Sequence, residues 1–264
     1  MYCGYDLKFL TEGCLDDFEL ADSFYYKGLK RYERHQEQID TILNKFSLQH
    51  GSLDGSAIQR NWFSQMQADI FISHSHSDAK TAIIFSEILR SCFNLSSFID
   101  SCVWGYSTDL LRLIDDKYCL NRDRDTYNYT KRNSSTSHVH MMLSTALMMM
   151  MDNCECVFFL DTPNSVNTMD VIRRTQSPWI YSEINISRLI RRRVPKRFKL
   201  QESLRKSSAE AFSIGIEYEL DMSHFIKLTE DDFDKWHEQL NANLFPLDVL
   251  YELVPPETQG VIYG

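Results

Sequence analysis

The sequence contains little glycine and none of the glycine-rich motifs that bind nucleotide phosphates. Only nine of the 264 residues are glycine, and neither GxGxxG nor GxxxxGK[ST] occurs. Those loops need glycine to bring backbone N–H groups against a phosphate, so a dinucleotide redox fold and a P-loop are unsupported. The GxSxG elbow of a serine hydrolase is absent as well.

Cysteine shows no regular pattern. The seven cysteines are odd in number and lack paired spacing, which fits neither a disulfide framework nor a zinc site. The segment Cys154-Glu-Cys156 is one residue short of a redox CxxC pair. Cysteine therefore indicates neither a secreted scaffold nor a metal centre.

Signal-peptide and membrane-spanning segments are also lacking. The first ten residues, MYCGYDLKFL, have neither a basic start nor a long apolar core, and the most apolar run, 141–151, is too short to span a bilayer. The formal charge of −9 argues against a dedicated nucleic-acid partner, because neutralising phosphates needs a basic face. We expect a cytoplasmic protein with no membrane span and no nucleic-acid partner.

One segment departs from this acidic balance. Nine Lys or Arg residues against a single Glu lie within 188–206, and an acidic stretch follows within 217–238. A solvated surface balanced by a nearby acidic face explains such a cluster, and docking to a membrane surface or a partner remains open.

The chain does have a regular alternation of strand-type and helix-type segments, and 43% of its residues are hydrophobic. This alternation predicts an α/β fold, a flavodoxin-like parallel sheet with helices on both faces. The predicted strands are 68–73, 96–100, 155–161 and 212–220, and the predicted helices are 77–93, 107–118, 138–153, 178–190 and 229–240. Ser77 or Asp78 is expected to cap the first of these helices, and Thr229 with Asp232 the last.

The regular pattern suggests three segments. Residues 1–60 are predicted as an N-terminal helical extension, 61–245 as the α/β domain with an insertion at about 101–138, and 246–264 as a C-terminal tail. Charges interspersed with apolar residues predict a surface helix over 21–46. The polar stretch 121–137 predicts a loop inside the insertion.

The stretch QSPWIYSEI carries the features of a helix start. Ser177 is a helix-capping residue and Pro178 suits the first helical position. Trp179 and Glu183 are then separated by four residues and share one face. Two interpretations remain open from these residues alone: a core tryptophan beside a solvated or dipole-stabilising glutamate, or a functional pair.

Ligands of an open parallel sheet bind at the carboxyl ends of its strands, here after Ser73, Asp100 and Asp161. The spacing His74-Ser-His76-Ser-Asp78 matches the HxHxD of metallo-β-lactamase-type hydrolases, but that family continues with His where this chain has Ala79. A phosphoacceptor role for Asp161 would need an acidic pair after the first strand to hold Mg²⁺. Serine and histidine stand there instead, so we predict no metal site.

Four segments in order resemble the Toll/interleukin-1 receptor (TIR) domain family over about residues 68–240. They are DIFISHSHSD, FIDSCVWGY, CVFFLD and SPWIYSEI. The first is similar to the family's first strand and its serine-rich exit, and the second stands where the family has its second strand and BB loop. WIYSE is similar to the W-x-x-x-E motif of TIR domains that cleave NAD⁺.

The resemblance implies an NAD⁺ nucleosidase that uses NAD⁺ as substrate and needs no cofactor. It implies that Glu183 is the catalytic carboxylate beside the nicotinamide ribose. Ser73, His74, Trp104 and Trp179 are the implied substrate contacts. Water as acceptor would give ADP-ribose, and an internal adenine nitrogen would give a cyclic ADP-ribose.

The resemblance also implies partners. Stand-alone bacterial TIR proteins serve antiphage defence, as in Thoeris, by depleting NAD⁺ or by sending a nucleotide signal to a separate effector protein. Activity in the family requires homotypic TIR–TIR assembly, in which the BB loop of one subunit completes the pocket of the next. The alternative is a non-catalytic TIR adaptor or effector that acts only through TIR–TIR interactions.

Overall fold

The computed structural model describes residues 1–10, 20–36, 43–49, 51–104, 107–122, 125–166, 174–175, 177–190, 192–193, 195, 197, 218–219, 221–240, 244–256 and 261–262. The strands are β1 (Cys3–Asp6), β2 (Ile70–Ser73), β3 (Ser97–Phe98), β4 (Cys156–Phe159), β5 (Arg174–Thr175), β6 (Arg192–Arg193), β7 (Tyr218–Glu219), β8 (Ile226–Lys227) and β9 (Val261–Ile262). The α-helices are α1 (Ala21–Gln36), α2 (Gly55–Trp62), α3 (Ala79–Phe93), α4 (Asp100–Val103), α5 (Ser107–Tyr118), α6 (Tyr129–Asn153), α7 (Pro178–Leu189), α8 (Glu230–Glu238) and α9 (Pro246–Leu253).

Five of these strands form one all-parallel sheet in the order β3-β2-β4-β1-β8. Strand β4 lies at its centre, where Phe158 is in register with Ile72 of β2 and Tyr5 of β1. All four residues of both β2 and β4 are buried, as expected for strands covered on both faces. Helices flank the sheet, and the predicted α/β fold class is confirmed.

The N-terminus differs from the prediction. Residues Cys3–Asp6 form a strand inside the sheet, between β4 and β8. They were predicted as part of a helical extension. The sequence CGYD has only one large apolar side chain, so its strand character comes from pairing on both edges. The predicted surface helix does form, but α1 ends at Gln36 and a 3₁₀ helix follows at Leu43–Phe46.

The predicted strand 212–220 lies outside the described residues except for Tyr218 and Glu219. These two form β7, which pairs antiparallel with β5 in a separate two-stranded ribbon. In the main sheet the position next to β4 is occupied by β1, and the edge position is occupied by β8, a strand that the apolar pattern did not indicate.

The insertion and the tail contain more helix than expected. Helix α5 spans 107–118 as predicted, but α6 begins at Tyr129, so that 129–137 is helical where a loop was predicted. Its serines and asparagine favour loops in isolation, yet Ser135 is buried and bonds Asp115 of α5, a tertiary contact that overrides the local preference. In the tail, α9 buries Leu247 and Leu250 completely.

The chain forms two compact units. Unit 1 comprises 1–28, 67–99 and 151–264, and unit 2 comprises 29–66 and 100–150. Unit 1 contains the sheet, and unit 2 contains α2, α4, α5 and most of α6. These units do not coincide with the three predicted segments, which stay a prediction.

An aromatic cluster packs α3 and α8 against the sheet in unit 1. Phe93 of α3 lies 4.1 Å from Trp236 of α8 between ring centroids, and Phe158 of β4 meets the same indole edge-on. The fully buried Trp236 donates its indole N–H to the Pro246 carbonyl at 2.8 Å, which fixes the start of α9. The core therefore joins elements from the middle and the end of the chain.

Within the basic segment 188–206, arginines at positions that the structure describes form ion pairs inside unit 1. Arg197 reaches both Glu155 and Asp248, and Arg193 reaches Asp152. Burial alone would lower the pKa of the Arg197 guanidinium. Hydrogen bonds and ion pairs with Glu155 and Asp248 outweigh that effect and raise the pKa above its ordinary value. These arginines therefore serve intramolecular pairing.

Candidate active site

The site lies at the carboxyl ends of β2 and β4. The chain leaves β2 toward β3 on one edge of the sheet, whereas it leaves β4 toward β8 on the opposite edge. Strands whose connections diverge in this way leave a crevice between their carboxyl ends, the usual ligand position in open α/β sheets. Ser73 is the last residue of β2 and is in register with Phe159 of β4.

Helix α7 begins as the local sequence predicts. The Ser177 hydroxyl accepts a hydrogen bond from the Ile180 backbone N–H at 3.3 Å, and Pro178 occupies the first turn. Ile180 and Ile184 are buried on the inner face of this helix. The buried face also includes Glu183, three residues after Ile180.

Glu183 is only 3% exposed, and its carboxylate is bound by the end of β2. The Ser73 hydroxyl, itself 2% exposed, donates to Glu183 Oε2 at 2.5 Å. A buried carboxylate needs such a donor, because removing it from water without one is costly. The interpretation of Glu183 as a solvated surface residue is therefore wrong.

Two further ionisable side chains are buried at the same strand ends. His74 follows Ser73 and is 7% exposed, and Asp161, just beyond β4, is 4% exposed. The backbone N–H of Leu160 donates to the Ser73 carbonyl at 2.9 Å, which continues the pairing of the two chains into the site. The burial of Asp161 adds a carboxylate that the sequence motifs did not indicate at these strand ends.

On β1, the other neighbour of β4, Asp6 occupies the position that Ser73 occupies on β2. It ends β1, is in register with Phe159, and is 3% exposed. Sequence reasoning missed it because β1 was not predicted. An acidic residue directly after an apolar-aromatic Tyr in a short segment is a weak indication of a strand end.

The loops that follow β2 and β4 are joined by the buried carboxylate of Asp78. Asp78 accepts hydrogen bonds from the Thr162 hydroxyl at 2.5 Å and from the Asn164 side-chain amide at 2.8 Å. Asp78 occupies the predicted N-cap position of α3, but its side chain makes no capping bond there. Its carboxylate instead holds the two loops of the site together.

Helix α7 is anchored one turn beyond Glu183. The Ser187 hydroxyl donates to the Ile184 carbonyl at 2.7 Å and lies 2.8 Å from His224 Nε2. Burial, with Arg192 nearby, lowers the pKa of His224 to about 4, so the imidazole is neutral at pH 7. The hydrogen bond between the Ser187 hydroxyl and Nε2 of this neutral ring ties α7 to the segment before β8.

The two predicted tryptophans lie in different surroundings. Trp179 is partly exposed and precedes Glu183 by about one turn of α7. Trp104 belongs to unit 2, where its ring packs edge-on against Phe63 and its indole N–H donates to the Ser64 carbonyl at 2.9 Å. The structure thus brings Ser73 and Glu183 into contact, with His74 next to Ser73 in sequence and Trp179 one turn before Glu183, whereas Trp104 is a core residue of unit 2.

The described ranges contain no group of three His, Cys, Asp or Glu side chains placed to hold a metal ion. The ring centroids of His74 and His76 lie 6.5 Å apart. His76 is exposed in the 3₁₀ turn that precedes α3, and Asp78 is bound by Thr162. The three residues of the HxHxD spacing, His74, His76 and Asp78, therefore lie in different surroundings and do not converge on one point.

The chain matches no family model, no curated protein and no solved structure. The resemblance to TIR domains consequently depends on the four ordered sequence segments. No helix in the described part of the chain combines the length and the apolar character needed to cross a bilayer.

Proposed function

We propose that this protein cleaves the bond between nicotinamide and ribose in NAD⁺, with Glu183 as the catalytic carboxylate. The observation that carries the proposal is the buried Glu183, bound by Ser73 at the switch point of a parallel sheet. An acidic side chain that is both buried and placed at the ligand-binding edge of the sheet is better explained by a catalytic role than by packing.

A single carboxylate is adequate for this reaction. When the glycosidic C–N bond breaks, its electron pair leaves with nicotinamide, which departs as a neutral pyridine and needs no proton. Ordinary glycosides require a second carboxylic acid for that protonation. Glu183 would stabilise the positive charge that develops on the ribose and hydrogen-bond its hydroxyls in a site shielded from water.

The second half of the reaction determines the product. Water that adds to the ribose carbon loses one proton and yields ADP-ribose, whereas attack by an adenine nitrogen of the same molecule yields a cyclic ADP-ribose. Ser73 orients the carboxylate. His74, next to Ser73 in sequence, and Trp179, one turn before Glu183 on α7, are the proposed substrate contacts. Trp104 as a substrate contact remains a prediction from the family resemblance.

The biological part of the proposal comes from the resemblance alone. The protein would act in the cytoplasm in antiphage defence, through homotypic TIR–TIR assembly, and its product would deplete NAD⁺ or signal to a separate effector protein. A carboxylate kept buried at the strand ends supports catalysis over the adaptor alternative, because an adaptor has no need of it.

The test is nicotinamide release from NAD⁺ by the wild-type protein and by Glu183→Gln at high protein concentration, with mass spectrometry of the second product. We expect release to fall at least about 100-fold in Glu183→Gln, as for removal of one transition-state contact. Glu252→Gln changes an exposed glutamate of α9 and serves as the matched control. Equal release by wild type and Glu183→Gln would contradict the catalytic role of Glu183, whereas no release from concentrated or assembled wild-type protein would favour the adaptor.

A further inference from the structure

A cavity of about 590 Å³ lies within unit 2, and its lining includes none of the residues of the proposed reaction. Its wall comes from one face of α6, the end of α5, the start of α2 and the turn before it. The lining residues that matter here are Ile58, Ile114, Tyr118, Lys131, Ser134 and Met142. This volume falls within the range of about 300–1,000 Å³ that small-molecule sites occupy.

The interior of the cavity is mostly apolar. Ile58 of α2 is 1% exposed and Ile114 of α5 is 8% exposed, so both form a rigid floor. Met142 of α6 closes one side, where its Cε lies 3.2 Å from the position that a Cβ on Gly55 would take. Glycine at 55 therefore leaves room for the end of the Met142 side chain.

The polar groups gather along α6. Lys131, Ser134 and His138 recur at helical spacing on the lining face and are all exposed. The Lys131 ammonium donates to the Tyr118 carbonyl at 3.2 Å, which holds its positive charge beside the cavity. Within the described ranges no carboxylate lies at ion-pair distance from Lys131.

The nearest buried acid is already neutralised. Asp115 of α5 accepts from Arg132 Nε at 2.9 Å and from the Ser135 hydroxyl at 2.5 Å. Arg132 offsets Asp115, and the described lining contains Lys131 but no Asp or Glu, so Lys131 places a positive charge at the cavity. An anionic group is the chemistry that complements it.

We propose that this cavity binds a small molecule with an apolar body and one anionic head, either a carboxylate or a phosphate monoester. The body would contact Ile58, Ile114 and Met142. The head would take an ion pair from Lys131 and a hydrogen bond from the Ser134 hydroxyl. The proposal concerns a second site and stands independently of NAD⁺ cleavage.

The test uses octanoate as the probe, titrated into the full-length protein by isothermal calorimetry, with 1-octanol and octylammonium as probes of the same apolar length. We expect octanoate to bind about two- to fivefold more tightly than either, the size of effect that one partly exposed ion pair gives. Octyl phosphate distinguishes the two head groups. Octanol binding as tightly as octanoate, or no octanoate binding at about 5 mM, would overturn the proposal.

Two pairs of variants locate the site. Ser134→Phe places a ring in the cavity at an exposed position, whereas Ser137→Phe makes the same change on α6 outside the lining. Lys131→Gln removes the charge, and Lys117→Gln removes an exposed lysine that bonds Asn44. Octanoate affinity should fall at least about tenfold in Ser134→Phe and about threefold or more in Lys131→Gln. Equal affinities within either pair would contradict the assignment.

Discussion

The Ser73 hydroxyl donates to the Glu183 carboxylate across 110 residues of sequence. One partner ends the second strand of the sheet, and the other lies in the second turn of α7. The bond therefore fixes the helix against the strand end and, at the same time, sets the orientation of the proposed catalytic carboxylate. Stability and activity at this position are linked through one contact.

Replacing Ser73 by alanine is expected to lower the free energy of unfolding by about 1–3 kcal/mol, because a buried carboxylate loses a donor. Urea denaturation measures the change. Ser77→Ala, at an exposed position in the following turn, should change stability by less than about 0.5 kcal/mol. Additive effects in a double-mutant cycle of Ser73→Ala with Glu183→Gln would show that the two residues do not interact.

The buried His224 predicts acid sensitivity. Its pKa in the folded protein is about 4, below the unfolded value of 6.5, because burial and Arg192 disfavour the charged ring and outweigh the opposing effect of Asp221. The neutral ring contributes stability that is fully present above pH 6.5. This stability is lost as the pH falls from 6.5 toward 4, since only the unfolded chain takes up the proton there.

The measurement is the free energy of unfolding at pH 7.5 and pH 5 for wild type and His224→Gln, whose amide can still donate to Ser187. Wild type should lose about 2 kcal/mol more than the variant over this interval. The carboxylate of Asp221, whose pKa is lowered by hydrogen bonds from Ser223, titrates below this window and does not confuse the comparison. Identical pH dependence of the two proteins would exclude a buried neutral His224.

Helix α8 should depend on its N-terminal cap. Thr229 Oγ1 accepts from the Asp232 N–H at 3.2 Å, and Asp232 Oδ2 accepts from the Thr229 N–H at 3.0 Å. Thr229→Ala should reduce the free energy of unfolding by about 1 kcal/mol because it removes a bond to an otherwise unsatisfied donor. Thr229→Ser retains the hydroxyl and is the control. Thermal denaturation that ranks serine with alanine would contradict the capping role.

Gly28 marks a close approach between α1 and α3. A Cβ at this position would lie 2.5 Å from Ile83 Cγ2 and 3.4 Å from the Ile83 carbonyl oxygen. Alanine favours a helix by about 1 kcal/mol over glycine, yet we expect Gly28→Ala to destabilise by about 1–3 kcal/mol, because the branched Ile83 has little room to move.

Chemical denaturation of Gly28→Ala, Lys27→Ala and the double variant Gly28→Ala/Ile83→Ala tests this contact. Lys27 is exposed on the same helix and should tolerate alanine. The Gly28→Ala substitution should cost less in the Ile83→Ala background, where Cγ2 is absent. A stabilising effect of Gly28→Ala alone would mean that the two helices do not pack so closely.

Features that depend on neighbours in sequence were predicted correctly. Ser177 and Pro178 determine the start of α7, and Thr229 with Asp232 determines the start of α8. Both involve bonds over three residues or fewer. The strand character of β2 and β4 was also evident, because strands buried on both faces carry continuous apolar residues.

Features that depend on contacts between distant segments were not predicted correctly. The serine-rich start of α6 suggested a loop, and only its packing on α5 through Asp115 made it helical. Asp78 has the position of a helix cap, but Thr162 and Asn164, more than 80 residues later, bind its carboxylate. Local preference and tertiary contact competed at these positions, and the tertiary contact prevailed.

The sequence by itself determined the α/β class, the capped helices and the shared face of Trp179 and Glu183, because each follows from periodicity or from bonds between near neighbours. Only the tertiary structure decided that Cys3–Asp6 enters the sheet, that Glu183 is buried against Ser73, and that Trp104 lies in the core of unit 2. The physical reason is that strand pairing and burial depend on which distant segments meet, and a local sequence pattern does not specify the distant segment.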